Sequence, residues 1–146
     1  VRYIAKKKCD AAAALCAPDD LIITADTMVF LDNDRLGKPR DEEDALRMLR
    51  ALSGRGHTVC TGVSVRRGAQ EERFAVSTRV FFRPMTDDEI RAYIKTGEPM
   101  DKAGAYGVQS RGALFVERID GDFFNVMGLP VEQLGLVLAR FGVKLL

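Results

Sequence analysis

The sequence of 146 residues predicts an α/β fold, a mixed twisted sheet with flanking helices, on three observations. Leu21–Leu31 is an apolar run of strand character. His57–Val65 and Phe74–Phe82 read as the two arms of an antiparallel hairpin. Helical patterns opened by Asp41, Thr86 and Pro130 alternate with these runs, so both antiparallel and parallel pairing are expected in one sheet.

Taken in order, residues 1–17 carry Val1, Ile4, Ala5, Ala12, Leu15 and Cys16 on one helical stripe, with Lys8 on the same stripe where an apolar residue is expected. Pro18 and the aspartates after it end the helix. The run Leu21–Leu31 is apolar except for Thr24, Asp26 and Thr27 and predicts a buried strand. Asn33-Asp34 marks a turn, and Leu36-Gly37-Lys38-Pro39 a short loop. Asp41 reads as an N-cap, followed by three acidic residues in the first turn, where the helix dipole favours them. Ala45, Leu46, Met48, Leu49 and Leu52 form that helix's apolar face, and Gly54 stops it.

The hairpin arms follow, joined through a longer polar loop around Gly68. In the second arm Phe74, Val76, Thr78, Val80 and Phe82 alternate with other residues. Thr86 and Glu89 form a capping-box pattern that opens a helix to about Thr96. Residues 99–112 hold three glycines and little periodicity, so a long loop is expected. Leu114–Ile119 and Phe123–Met127 predict strands joined around Asp120-Gly121-Asp122. The last helix starts at Pro130, with Val131, Leu134, Leu138 and Phe141 on its stripe.

No repeat or linker interrupts the chain, so residues 1–146 form a single domain. Hydrophobic residues make up 47%, too many for disorder. Net charge is +1, from 22 basic and 21 acidic residues. That balance argues against a broad nucleic-acid or anionic-membrane surface but leaves room for a local anion site. Cys9, Cys16 and Cys60 are odd in number and contain no Cys-x-x-Cys pair, which suits reduced thiols. No run approaches the ~18 apolar residues of a membrane span, and no signal peptide is visible; a cytoplasmic location is expected. The chain begins at Val1 inside a helical pattern, so a preceding segment is expected.

Asp26 is the sharpest anomaly. A carboxylate within an apolar strand is costly unless it meets a cation, a metal or several donors. It reads equally as a functional group or as a strand-end residue taking backbone donors. Lys8, taken alone, reads as a snorkelling lysine with its ammonium in water. Lys38 sits in a Gly-Lys-Pro loop that Pro39 stiffens. Lys102-Ala103-Gly104-Ala105-Tyr106-Gly107-Val108-Gln109 lets backbone approach a ligand closely, or is an ordinary connection; it is neither a dinucleotide fingerprint nor a Walker loop. His57, the only histidine, reads as a residue at the start of a strand, bonded to its neighbours. One histidine makes no His-rich zinc site, and no nucleophile–base pair is visible. One carboxylate, three lysines and a glycine loop suit attack by water on a metal-bound polyphosphate, with lysines neutralising phosphate charge and carboxylates holding Mg²⁺ or Mn²⁺.

Ala25-Asp26-Thr27, Leu36-Gly37-Lys38-Pro39 and the stretch Leu52-Ser53-Gly54-Arg55-Gly56-His57-Thr58-Val59-Cys60-Thr61-Gly62-Val63 resemble the Maf family in order and spacing. So do Gly97-Glu98-Pro99, Asp101 through Gln109, Gly121 through Pro130, and the Lys8 helix; the resemblance covers essentially the whole chain. It implies a fold shared with the inosine-triphosphatase-like pyrophosphatases, two lobes around a cleft. It also implies metal-dependent cleavage of a nucleoside triphosphate, dTTP or UTP, between the α- and β-phosphates. On that resemblance Asp26 is the proton acceptor and a metal ligand, Lys8 and Lys38 are active-site lysines, and Lys102 lies in the substrate-binding glycine loop. Thr27 and Gln109 match positions associated with the dTTP- and UTP-preferring subgroup. The cofactor expected is Mg or Mn, and a homodimer is held open as the assembly. The family's Ser-rich N-terminal loop and a following acidic residue are absent, and Ser110 stands where a glycine is usual. The competing reading is a non-catalytic nucleotide-binding regulator of septum formation. A third is a pyrophosphatase for modified nucleotides.

Overall fold

The computed structural model describes all 146 residues. Five strands form one sheet in the order β2-β1-β3-β4-β5: β1 Ile22–Leu31, β2 Asp34–Leu36, β3 Gly56–Arg67, β4 Gln70–Phe82 and β5 Val116–Asp120. All four pairings are antiparallel, so the helix-flanked sheet is present without the parallel pairing expected in it. Five helices surround it: α1 Arg2–Ala13, α2 Glu42–Leu52, α3 Asp87–Lys95, α4 Phe123–Met127 and α5 Val131–Arg140. No helix is long and apolar enough to cross a membrane. The three cysteines are free thiols: Cys9 buried, Cys16 exposed, Cys60 half-buried.

The sheet's two faces are dressed differently, because side chains alternate along each strand. On one face α1 packs over Thr24, Asp26 and Gly62. Thr24 Oγ1 donates to the Ala5 carbonyl at 2.5 Å, and a Cβ at Gly62 would strike the backbone of Val1 and Arg2. The other face carries two hydrophobic clusters. The larger holds 18 buried residues and joins Val29, Leu31, Val59, Val80 and Phe82 to α2 and α3. The smaller has six and sets Val63 and Val65 against Leu134, Val137, Leu138 and Phe141. Between them the short α4 rests on β3 and β4.

Both predicted caps form. Asp41 accepts from the Asp44 amide at 2.8 Å, and Thr86 and Glu89 close a full capping box. Other expectations change. The first helix ends at Ala13, and its buried residues are Ala5 and Cys9, four apart; Leu15 is 90% exposed because nothing packs on the alanine-rich tail. Only Val29 and Leu31 of β1 are buried, since the first half of that strand borders open space. The hairpin connection is short, with Arg67 opposite Gln70 and Gly68 at φ +58. Residues 99–112, expected to be a long loop, carry three short 3-10 turns, the last of which runs to Phe115 and takes Leu114 and Phe115 out of the strand expected there. Phe123–Met127 is a helix instead of a strand. The Asp122 side chain caps the Asn125 amide, and Gly128 ends the turn at φ +120, so local capping overrides the strand preference of its aromatics.

Candidate active site

Only three residues of β1, Val29–Leu31, are covered by β2. Beyond them the outer edge of β1 is unpaired at Asp26 and Thr27, and a cavity of about 380 Å³ opens there. Because the edge is open, the cavity reaches both faces of the strand, collecting Asp26 from one and Thr27 from the other. Its lining includes Lys8, Lys38, Lys102 and Gln109, so all six residues singled out in the sequence converge on one space.

Asp26 is the only carboxylate in that lining, and its side chain is 18% exposed. Lys8 Nζ lies 3.1 Å from Asp26 Oδ1 and donates to the Ala25 carbonyl at 3.0 Å. Lys8 is therefore not simply a snorkelling residue: it offsets the cost of burying Asp26 and keeps a third N–H for a ligand. It can do so because Ala5 and Cys9 make the contact face of α1, which leaves position 8 at that face's rim. Asp26 Oδ2 has no protein partner and is open to water.

Lys38 and Lys102 face the same space from two loops tied together by a bond from the Gly104 amide to the Gly37 carbonyl, 3.1 Å. Lys102 Nζ donates to Asp101 Oδ1 at 2.8 Å. That bond, together with Lys102's charge, holds the Asp101 carboxyl below its ordinary range. The Lys102 stem passes so near Gly107 that a Cβ there would lie 2.8 Å from it, which is why the loop needs glycine. The Gly107 amide is held by Tyr93 Oη at 3.1 Å. Burial pushes the Tyr93 phenol well above its ordinary value, so it stays protonated. Glu98, beside this turn, has its carboxylate oxygens buried, and its charge next to the Tyr93 phenol adds to the rise in that phenol's pKa.

The inner wall is apolar: Val29, Val59, Val108 and Val126, with the Tyr106 ring. Tyr106 Oη sits 2.6 Å from His57 Nε2, so His57 does meet a neighbour, but one 49 positions away. Burial, aided by the charge of Arg79, lowers the His57 pKa to about 4. It is a neutral packing residue that backs the wall.

Sequence reasoning missed Thr61 and Asn125, both fully buried. Thr27 Oγ1 and Thr61 Oγ1 are 2.9 Å apart, and Thr61 bonds the Asn125 carbonyl at 3.0 Å. A polar residue at a core position of β3, and an amide inside the run Phe123–Met127, are the traces they leave in the sequence.

No group of three or more His, Cys, Asp or Glu side chains that could hold a metal is present. The donors in the cavity, one carboxylate and three ammonium groups, do not make up a resident metal's ligand set. They are complementary to a polyanion carried beside an apolar ring.

The family model described as "Maf-like protein" matches residues 1–141. The chain is 50% identical over 144 residues to the dTTP/UTP pyrophosphatase of Bacillus velezensis, covering 99% of this chain and 76% of that protein. It is 47% identical over 143 residues to the protein of the same name from Bacillus pumilus, covering 98% and 75%. To that of Exiguobacterium sibiricum it is 45% identical over 144 residues, covering 99% and 72%.

Proposed function

The chain belongs to the Maf family, and on that premise we propose that it hydrolyses dTTP and UTP to the monophosphate and pyrophosphate in the cavity at the free edge of β1. The carrying observation is the convergence of Asp26, Lys8, Lys38 and Lys102 on one space with an apolar wall. The names of the relatives support the substrate class.

Asp26 acts as general base. Its free oxygen takes a proton from water as that water attacks the α-phosphorus. The bond from that phosphorus to the bridging oxygen breaks, and pyrophosphate leaves with the electron pair. Lys8, Lys38 and Lys102 neutralise the charge that builds on the non-bridging and leaving oxygens. Asp26 is also the one cavity carboxylate that could ligate a divalent cation, Mg²⁺ or Mn²⁺, carried on the triphosphate. Thr27 and Gln109 line the same cavity as the apolar wall, which suits them to meet the polar edge of the base.

The test is a panel of dTTP, UTP, CTP and 7-methyl-GTP with Mg²⁺ or Mn²⁺, scored for pyrophosphate and orthophosphate separately. Pyrophosphate from dTTP and UTP is expected; orthophosphate as first product would refute the bond assignment. Asp26→Asn is expected to lower kcat by about 10²–10⁴-fold, the usual contribution of a positioned base. Unchanged turnover in that variant would remove Asp26 from the chemistry.

A further inference from the structure

Tyr93 does not line the cavity, yet its hydroxyl holds one side of it in place. The ring is buried in the larger cluster, edge-on to Phe115 at 5.2 Å, and its Oη reaches the turn 102–109. There it accepts from the Gly107 amide at 3.1 Å. Gly112 closes on the same atom: a Cβ at Gly112 would stand 2.8 Å from Tyr93 Oη and strike the Gly107 carbonyl.

Gly107 is in turn the surface on which Lys102 lies. A Cβ on Gly107 would come within 2.8 Å of Lys102 Cε and 3.1 Å of Glu98 Oε1, so the lysine stem and the Glu98 carboxylate both pack on that α-carbon. Lys102 Nζ donates to the Glu98 backbone carbonyl at 3.3 Å. Its other partner, Asp101, has a side chain 78% exposed, and so open an ion pair is weak enough to yield to a polyphosphate. Lys102 is therefore held along its stem and free to exchange at its head.

The Tyr93 hydroxyl also has a proton of its own, which the Gly107 bond does not use. The Glu98 carboxylate stands beside that hydroxyl with both oxygens buried and no other donor. Burying a carboxylate without donors is costly, and a phenol that turns its proton to it lowers that cost. We propose that Tyr93 and Glu98 are positioning residues for Lys102: Glu98 takes the Tyr93 proton, Tyr93 takes the Gly107 N–H, and the peptide so fixed aims the lysine at the triphosphate. This rests on the pyrophosphatase reading above and gives it two residues outside the cavity. Ordering the stem before substrate arrives reduces the entropy lost on binding, so the effect falls on affinity more than on the chemical step.

The experiment measures kcat and KM for UTP with Mg²⁺, and the Kd of α,β-imido-UTP by calorimetry, in the wild type, Tyr93→Phe, Glu98→Ala and Glu98→Gln, each also combined with Lys102→Ala. Tyr93→Phe keeps the ring and deletes the hydroxyl. It is expected to raise KM and Kd about tenfold, the weight of one hydrogen bond, with kcat little changed. Glu98→Ala is expected to follow it, and Glu98→Gln, which keeps an acceptor for the phenol, to stay near the wild type. Combined with Lys102→Ala, neither Tyr93→Phe nor Glu98→Ala is expected to add a loss, since the residue they act through is gone. A merely structural role would weaken both backgrounds alike. A folded Tyr93→Phe with wild-type KM and Kd, or the same loss with and without Lys102, overturns the inference. Glu98→Gln as weak as Glu98→Ala removes Glu98 from it. If Tyr93→Phe does not fold, Glu98→Ala in the two backgrounds decides. A wild type that binds α,β-imido-UTP but cleaves no nucleoside triphosphate sinks the pyrophosphatase reading and leaves Kd to judge the inference; one that does neither sinks both.

Discussion

His57 enters β3 with its ring wholly buried, set edge-on to Phe82 at 5.0 Å and to Tyr106 at 5.3 Å. Burial lowers its pKa from 6.5 to about 4. The unfolded chain therefore binds the proton first, and native stability falls as pH drops from about 6.5 toward 4. The full effect of a shift this size is on the order of 3 kcal/mol. The carboxyls that are held low, such as Asp44 beside Arg40 and Arg47, add their own loss only below the ordinary Asp and Glu range. Thermal unfolding between pH 7 and 4.5 is thus expected to show a falling Tm that flattens in His57→Gln. An equally steep fall in that variant would assign the effect elsewhere. At this scale the sequence was informative where charge broke an apolar pattern, as at Asp26 and Lys8. It was silent on Thr61 and Asn125, because a buried polar residue shows its partners only once distant strands are brought together.

Helix α3 is held at its start by a reciprocal cap, with Thr86 Oγ1 accepting from the Glu89 amide at 3.2 Å and Glu89 from the Thr86 amide at 3.0 Å. Thr86→Ala is expected to cost about 1 kcal/mol in urea unfolding, with Thr86→Ser close to neutral. A loss below a few tenths would mean that Arg83, also bonded to Glu89, secures that end without the threonine. Capped elements such as α2 and α3 were legible because their start signals are local. The elements misread were the shortest. Five residues of α4 are too few to show a helical period, and the three residues of β2 too few to alternate. Pairing direction was legible for the hairpin of β3 and β4 but not elsewhere, since it depends on which strands become neighbours.

The molecule places its site at a seam. Helix α1, strand β1, the turn 102–109 and helix α4 each contribute to the cavity, and the two hydrophobic clusters lie on either side of α4. A ligand spanning these parts binds the folded chain alone. A non-hydrolysable α,β-imido-UTP at 100 times its Kd is expected to add about 2.7 kcal/mol and raise Tm by several degrees. Binding without any thermal shift would place the ligand elsewhere. The opening itself exists because β2 stops after three residues, opposite Val29. Three more rungs on that ladder would run along Met28, Thr27 and Asp26 and close the entrance. The size of the aperture is therefore written in the length of one edge segment, and insertions between Leu31 and Lys38 offer a way to tune or shut this enzyme without touching its chemistry.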